Sequence, residues 1–401
     1  MRIVRMSFQD FKEQTKNVVK ATVGSLVSRT RSRGDKRYQV LGTPKDEKEF
    51  TELIIDFYKK KYPEVRNMLK YPLYTAYEKP VEVEETATRV PEEIKRRRYS
   101  VHSSDLESAL SMALFSDVGA TMDISGPTLQ NLLNFLEVLK LYFPEELKQA
   151  KTNILKLYQW VYKNNTPPTR MSGKSFASEV EKIWGKPCEK YVACKGSKPT
   201  YGYYPCGIWT MWHVLTVQYY LKNQNKITSP KQNRKVLHAM VGYMGSFFGC
   251  RACSEHFFKM TKNGTLVDKE VQTAADTVLF LWEKHNVVNL RLTSSKTNDP
   301  VFPKQVFPNV DYCRKCYKHP EKAPKVDSDE TRQLIEVAKN TNTFDTTPFN
   351  KNEVLKFLVE QFKNVETKRD DSSIVPSTRT IKDSPPLEIN LSLETEIVKR
   401  K

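Results

Sequence analysis

The chain has 401 residues, 39% hydrophobic and 28% charged, which is enough apolar material for a sizeable core and enough length for two or three domains. No run approaches the roughly 18 apolar residues of a membrane span, and Met1-Arg2-Ile3-Val4-Arg5-Met6 lacks the apolar centre of a signal peptide, so the sequence reads as a soluble globular protein with flexible ends. The formal charge of +18 is diffuse, its densest cluster being Lys95-Arg96-Arg97-Arg98, and no zinc-finger, RNP or Gly-rich phosphate-loop pattern accompanies it; a solvated basic surface explains it better than nucleic-acid binding.

Residues 1–97 form an N-terminal segment without evident chemistry. Phe50, Leu53, Ile54, Phe57 and Tyr58 have helical spacing closed by Pro63, and the charged stretch between Pro80 and Arg98 reads as a linker. From Ser103-Ser104-Asp105 a helix-start cluster leads into Leu106, Leu110, Ala113 and Leu114. Ser125-Gly126-Pro127 then opens a stripe of Leu129, Leu132, Leu133, Leu136, Leu139 and Phe143, ended by Pro144. A third pattern, Ile154, Leu157, Tyr158 and Val161, stops before Pro167-Pro168. This region is helical, free of cysteine, and reads as packing rather than chemistry.

All seven cysteines follow it: Cys188, Cys194, Cys206, Cys250, Cys253, Cys313 and Cys316. Such crowding fits a redox or metal domain, and the odd count leaves at least one thiol outside any set of intrachain disulfides, Cys188 being the candidate. In the helical stretch from Pro205 to Val217, Cys206, Trp209 and His213 fall at i, i+3 and i+7, so one face carries a sulfur, an indole and an imidazole. Taken alone, such an aromatic stripe is more often core than cofactor box.

A helix over Val236–Phe248 runs toward Phe247-Phe248-Gly249-Cys250-Arg251-Ala252-Cys253-Ser254-Glu255-His256-Phe257. Two thiols at this separation close a small disulfide ring or bind one metal ion. A thiolate near a helix N-terminus gains from the unpaired N–H groups there, and Arg251 should push its pKa the same way. If the helix continues, His256 shares a face with Cys253.

Ala274–Leu292 makes a long helix bearing Trp282, His285, Asn286 and Asn289. Two amides, an imidazole and an indole are wasteful as core, because each buried polar group needs a partner; a flat, hydrogen-bonding heterocycle would supply those partners. Asp299-Pro300-Val301-Phe302-Pro303-Lys304 is extended and places Lys304 where it can meet a phosphate. Cys313 and Cys316 repeat the Cys-x-x-Cys spacing, Val354, Leu355, Leu358 and Phe362 indicate a last helix, and the polar chain beyond Lys368 reads as disordered.

A zinc-stabilised binding module would draw on Cys250, Cys253, His256, Cys313, Cys316 and His319. Zinc ribbons usually place their pairs about 15–20 residues apart. Cys253 and Cys313 are far more distant, and the Trp and Asn stripes would go unexplained, so no metal is expected.

Three motifs then act together: Pro205-Cys206-Gly207-Ile208-Trp209 with His213, the Phe247–Phe257 stretch, and Leu281-Trp282-Glu283-Lys284-His285-Asn286-Val287-Val288-Asn289. With Asp299–Lys304 and the Cys313 to Cys316 pair they resemble the C-terminal half of the quiescin-sulfhydryl oxidase family, which carries an Erv-type, FAD-binding module. The resemblance spans roughly residues 100–365, Asp105-Leu106-Glu107-Ser108-Ala109-Leu110 and the Leu129–Phe143 helix being similar to the family's cofactor-free helical domain.

That resemblance implies an all-α fold. A cofactor-free pseudo-Erv domain over 98–190 would pack on a four- to five-helix FAD module over 191–365, followed by a disordered tail over 366–401. It implies FAD contacts at Trp209, His213, Cys253, His256, Trp282, His285, Asn286, Asn289 and Lys304. It further implies a structural disulfide between Cys194 and Cys206, a redox disulfide of an outer Cys250 and a flavin-proximal Cys253, and a second redox or structural pair, Cys313–Cys316. The implied reaction turns two thiols and O2 into a disulfide and hydrogen peroxide. The implied partners are small dithiols or protein thiols, with no nucleic acid and no membrane span, and the implied place is the secretory pathway, where the sequons at Asn164, Asn263 and Asn390 could be glycosylated.

The sequence also departs from the family pattern. No cysteine precedes Cys188, and residues 45–63 only weakly resemble the end of the family's thioredoxin-like unit. The expectation is therefore that residues 1–97 hold a remnant of that unit, as in a fragment, a truncated isoform or a diverged member. Gly202 and Phe307 stand where the family often has Arg and Trp, so those two flavin contacts are not expected.

Overall fold

A computed structural model describes residues 26–32, 35–42, 100–164, 170–198, 201–293, 295, 297–324 and 328–367. They fall in two compact units. In the first, strands β1 (Leu26–Ser32) and β2 (Asp35–Gly42) pair antiparallel, from Ser32 opposite Asp35 to Leu26 opposite Gly42, with one irregularity between Leu26 and Val27. This ribbon was not among the expected elements. The expected helix at Phe50–Tyr58, the linker and the tail from residue 368 lie outside the described residues.

The second unit is all-α. Its helices are α1 (Ser103–Met112), α2 (Gly126–Tyr142), α3 (Lys148–Lys163), α4 (Gly173–Trp184), α5 (Tyr204–Asn223), α6 (Pro230–Ser246), α7 (Arg251–Thr261), α8 (Thr265–Glu270), α9 (Ala274–Leu292), α10 (Asp329–Thr341) and α11 (Lys351–Phe362). α1 runs directly into a π-helical turn, Ala113–Val118. Two helix starts follow from their first residues: Ser229 and Gln232 form a reciprocal capping box on α6, as Thr273 and Asp276 do on α9. Each such cap is worth about 1 kcal/mol.

The leucine stripe of α2 is buried from Leu129 to Leu139 and packs on α3 and α6. α5 is the central helix. Met211 to Val217 are buried without interruption, so it shows no solvent face there and contacts α1, α2, α6, α9 and α11. One core runs from Val101 to Val365. Its ends meet where the Ser103 N–H donates to the Glu366 carbonyl (2.9 Å) and the Glu366 N–H to that of Val101 (2.8 Å).

Candidate functional site

The N-terminus of α5 is fixed first. Cys194 and Cys206 are disulfide-bonded, with Cα atoms 5.4 Å apart. The buried carboxylate of Asp105 on α1 accepts from the N–H groups of Val192 (2.6 Å), Ala193 (2.9 Å) and Cys194 (3.2 Å), while the Tyr203 N–H donates to the Cys194 carbonyl at 2.6 Å. Gly202 has φ +80°, and a Cβ there would lie 2.5 Å from the Cys194 oxygen, so the backbone permits little but glycine. The loop thus leaves no room for the arginine that the family often carries there.

Beyond this clamp, α5 turns Trp209 and His213 toward α9. The Trp209 ring stacks on His285 with centroids 4.3 Å apart and planes 7° from parallel. His213 Nε2 lies 2.9 Å from His285 Nδ1, and the His213 ring stacks on Phe362 at 4.7 Å. Burial holds His213 well below the ordinary imidazole range, and His285 beside it pushes the same way; burial, aided by the charge of Lys304, pushes His285 down to about 3. Both rings are therefore neutral. His213 Nδ1 is buried with no hydrogen-bond partner among the described residues.

Two of the other three members of the expected α9 stripe behave differently. Trp282 and Asn286, each 1% exposed, find their partners inside the chain. The Trp282 Nε1–H and the Asn286 Nδ2–H both donate to the Phe307 carbonyl (2.5 and 2.8 Å), and the Phe307 N–H donates to Asn286 Oδ1 (2.8 Å). No heterocycle is needed to satisfy them. This corrects the argument that the whole stripe calls for one: a main-chain turn supplies the hydrogen bonds, and the Trp282 ring packs near-perpendicular to Phe344 and Phe349. Asn289 is half-buried one turn beyond His285, and its carbonyl accepts from Thr293 Oγ1.

Cys250 and Cys253 are disulfide-bonded at the start of α7, Cα atoms 5.3 Å apart, with Cys250 as N-cap accepting from the Cys253 N–H at 3.3 Å. Cys253 is exposed and Cys250 half-buried. The exposed guanidinium of Arg251 pairs with Glu255 at 3.2 Å, its helical i, i+4 neighbour. Ser254 Oγ donates to the Met244 carbonyl (2.8 Å) and ties α7 to α6, and α7 also packs on α9. His256 is half-buried, its pKa lowered by burial and then by the charges of Arg291 and Lys259.

Arg291 escaped the sequence reading. It is half-buried in the last turn of α9, burial lowers its pKa, and no carboxylate pairs with it among the described residues. Its signal was its place as the basic residue of that turn, two residues after Asn289. Lys304 is held by its N–H to Asn298 Oδ1 (2.8 Å) and by Nζ to the Thr297 carbonyl (3.2 Å).

Cys313 and Cys316 form a third disulfide in a short turn against α11; Cys316 is fully buried, and its carbonyl accepts from the Asn350 N–H at 2.7 Å. Cys188 is a free, exposed thiol. Neither cysteine pair is open to a metal while oxidised, and among the described residues no three His, Cys, Asp or Glu side chains converge to hold an ion.

Parallel indole and imidazole planes, an orphaned buried Nδ1, and a half-buried Arg291 without an acid partner suit a flat neutral ring joined to an anionic group. FAD has both parts, so the residues present fit it.

Comparison with known proteins agrees. Residues 97–197 match the flavin adenine dinucleotide (FAD)-dependent sulfhydryl oxidase family and residues 206–308 the Erv1 / Alr family. Sulfhydryl oxidase 1 of Cavia porcellus is 32% identical over 241 residues, 59% of this chain and 38% of that protein. Sulfhydryl oxidase 2 of Homo sapiens is 31% identical over 269 residues, 65% of this chain and 37% of that protein. The chain thus spans less than two-fifths of the length of these relatives. Among solved structures, the sulfhydryl oxidase fragment of human QSOX1 superposes with a TM-score of 0.54 at 26% identity, covering 67% of this chain and 99% of that one. By its motifs, its helical fold and these matches, residues 97–308 of this chain belong with the FAD-dependent sulfhydryl oxidase and Erv1 / Alr families, as the sulfhydryl oxidase fragment of human QSOX1 does in fold.

Proposed function

We propose that this chain is a thiol oxidase that converts two thiols into a disulfide and passes the electron pair to O2, yielding hydrogen peroxide. One observation carries the reading: an oxidised, solvent-accessible Cys250–Cys253 pair opens α7, which packs on the helix bearing His285, itself stacked on Trp209. Residues 98–190 act as the cofactor-free module and 191–365 as the module that holds the cofactor.

A substrate thiolate attacks Cys250 Sγ, forms a mixed disulfide and breaks the Cys250–Cys253 bond, the electron pair leaving on Cys253 Sγ. A second thiolate attacks the mixed disulfide and releases the oxidised substrate and the Cys250 thiolate. Two electrons thus move from substrate to the cysteine pair, and the two thiol protons go to solvent. The free N–H groups at the start of α7 favour thiolate over thiol at this pair. When bound, FAD supplies the electron acceptor and the chemistry with O2. Trp209, His213 and His285 would hold its flat rings, with His256, Asn289, Arg291 and Lys304 about its polar parts, while Trp282 and Asn286 would act from behind through Phe307. Neutral imidazoles suit this role, since they add no charge beside the ring system.

Small dithiols and accessible protein thiols are the proposed substrates, and the secretory pathway the proposed compartment; among the described residues no helix is long and apolar enough to cross a membrane. The test is the absorbance spectrum of the purified protein, followed by oxygen uptake with dithiothreitol. A yellow protein that consumes oxygen is the expected result, and a colourless one that consumes none contradicts the reading.

A further inference from the structure

The π-helical turn Ala113–Val118 has no part in the chemistry described so far, yet it sends one side chain from the cofactor-free module to the loop before the redox disulfide. Turns of this kind break the regular helical ladder and re-aim a side chain, which is why they recur at functional sites. Here the side chain is Asp117. Its Oδ1 accepts from the Gly249 N–H at 3.2 Å, and Gly249 immediately precedes Cys250. Its Oδ2 accepts from the hydroxyls of Tyr204 and Tyr243, each at 2.7 Å, and those two hydroxyls are themselves 2.7 Å apart.

These partners come from three directions. Tyr204 opens α5, the helix of Trp209 and His213; Tyr243 lies near the end of α6, which delivers the chain to Cys250; Gly249 lies in the connection itself. Both tyrosines are buried, so the triangle of oxygens is rigid and shielded from water, while Gly249 at its edge is exposed. Burial raises the Asp117 pKa despite its hydrogen bonds and raises those of both tyrosines, so the cluster holds its hydroxyl protons firmly. The carboxylate also sits close to the Gly249 backbone: a Cβ built there meets one atom within 4 Å, Asp117 Oδ1 at 3.1 Å.

Taking the thiol-oxidase reading as its basis, we propose that Asp117 is a positioning residue for the Cys250–Cys253 disulfide, reaching from the cofactor-free module to fix the Gly249–Cys250 peptide relative to α5 and α6. Exchange at a disulfide requires the attacking sulfur to approach along the S–S axis, so the orientation of this turn controls the rate at which an incoming thiolate meets Cys250. The cofactor-free module thereby becomes part of the redox site and not only a scaffold.

The test reduces the full-length protein with dithiothreitol without oxygen, quenches with a maleimide at timed intervals, and counts labelled Cys250 and Cys253 by mass spectrometry, with Cys313 and Cys316 as an internal control for unfolding. Asp117→Ala should slow reduction of Cys250–Cys253 about tenfold, a modest loss for a misoriented reacting group. Asp117→Asn, whose amide oxygen still accepts from Gly249 and whose NH2 can donate to both tyrosines, should stay within about twofold of wild type. Gly249→Ala presses on Asp117 Oδ1 without entering the core; it should slow reduction about threefold alone and add nothing to Asp117→Ala, as expected for two ends of one contact. Absence of oxygen uptake in the wild type would count against the oxidase reading and leave this exchange measurement to decide on Asp117. Wild-type exchange rates in both Asp117→Ala and Gly249→Ala would overturn the proposal, as would an Asn variant as slow as Ala accompanied by faster labelling of Cys313 and Cys316.

Discussion

His213 Nε2 and His285 Nδ1 lie 2.9 Å apart, so a single proton bridges the two neutral rings, and protonating both would place two cations in contact. Their folded pKa values are both depressed, by burial first. Protonation of the unfolded chain therefore begins below the ordinary imidazole value of about 6.5, while the folded chain resists it. Stability is fully present above that value and falls with pH until the folded pKa is reached, about 3 for His285. The slope is about 1.4 kcal/mol per pH unit for each histidine.

The thermal midpoint should accordingly drop between pH 6.5 and 4, and the drop should be roughly halved in His285→Gln. Buried Asp105 and half-buried Asp117, whose pKa values are raised, act in the opposite sense over the acid range, and the paired comparison separates them from the imidazoles. A midpoint equally steep in wild type and His285→Gln would show that the pair does not control acid stability.

The Asn286 amide holds both the N–H and the carbonyl of Phe307. Asn286→Ala removes both bonds from this part-buried turn, which should cost about 1–3 kcal/mol. Urea unfolding would measure it. A loss below about 0.5 kcal/mol, the size of an ordinary surface change, would mean that Phe307 is held by other contacts.

The Cys194–Cys206 bond closes a loop with a sequence separation of 12. By loop-closure entropy such a cross-link contributes about 3 kcal/mol. The double Cys→Ser variant should lose that much stability and keep its rate of Cys250–Cys253 exchange. A variant of unchanged stability, or one whose exchange collapses while it remains folded, would contradict a purely structural clamp.

What the sequence revealed and what it hid follow from burial. α2, α9 and α11 carry broad apolar faces, and their periodicity announces them; α9 begins at Ala274 and ends at Leu292, as its pattern predicts. α4 buries little beyond Phe176 and Val180, and α10 only Ala338 fully, so their stripes are too narrow to read. At the site, the meeting of Trp209, His213 and His285 depends on spacing along two helices and is partly legible. The partners of Trp282 and Asn286 are not, because they are backbone atoms of Phe307, and a backbone acceptor has no letter in the sequence. Asp117 was hidden for a related reason: its direction is set by a π-helical turn that no 3.6-residue period anticipates.

The central claim is that electrons enter through Cys250–Cys253. It is tested most directly by oxygen uptake with dithiothreitol in Cys253→Ser, alongside its flavin content and hydrogen peroxide yield. The account predicts flavin still bound, through Trp209, His213 and His285, with uptake and peroxide both lowered by at least about a hundredfold, because Cys250 alone has no disulfide to exchange. Undiminished turnover in Cys253→Ser would contradict it.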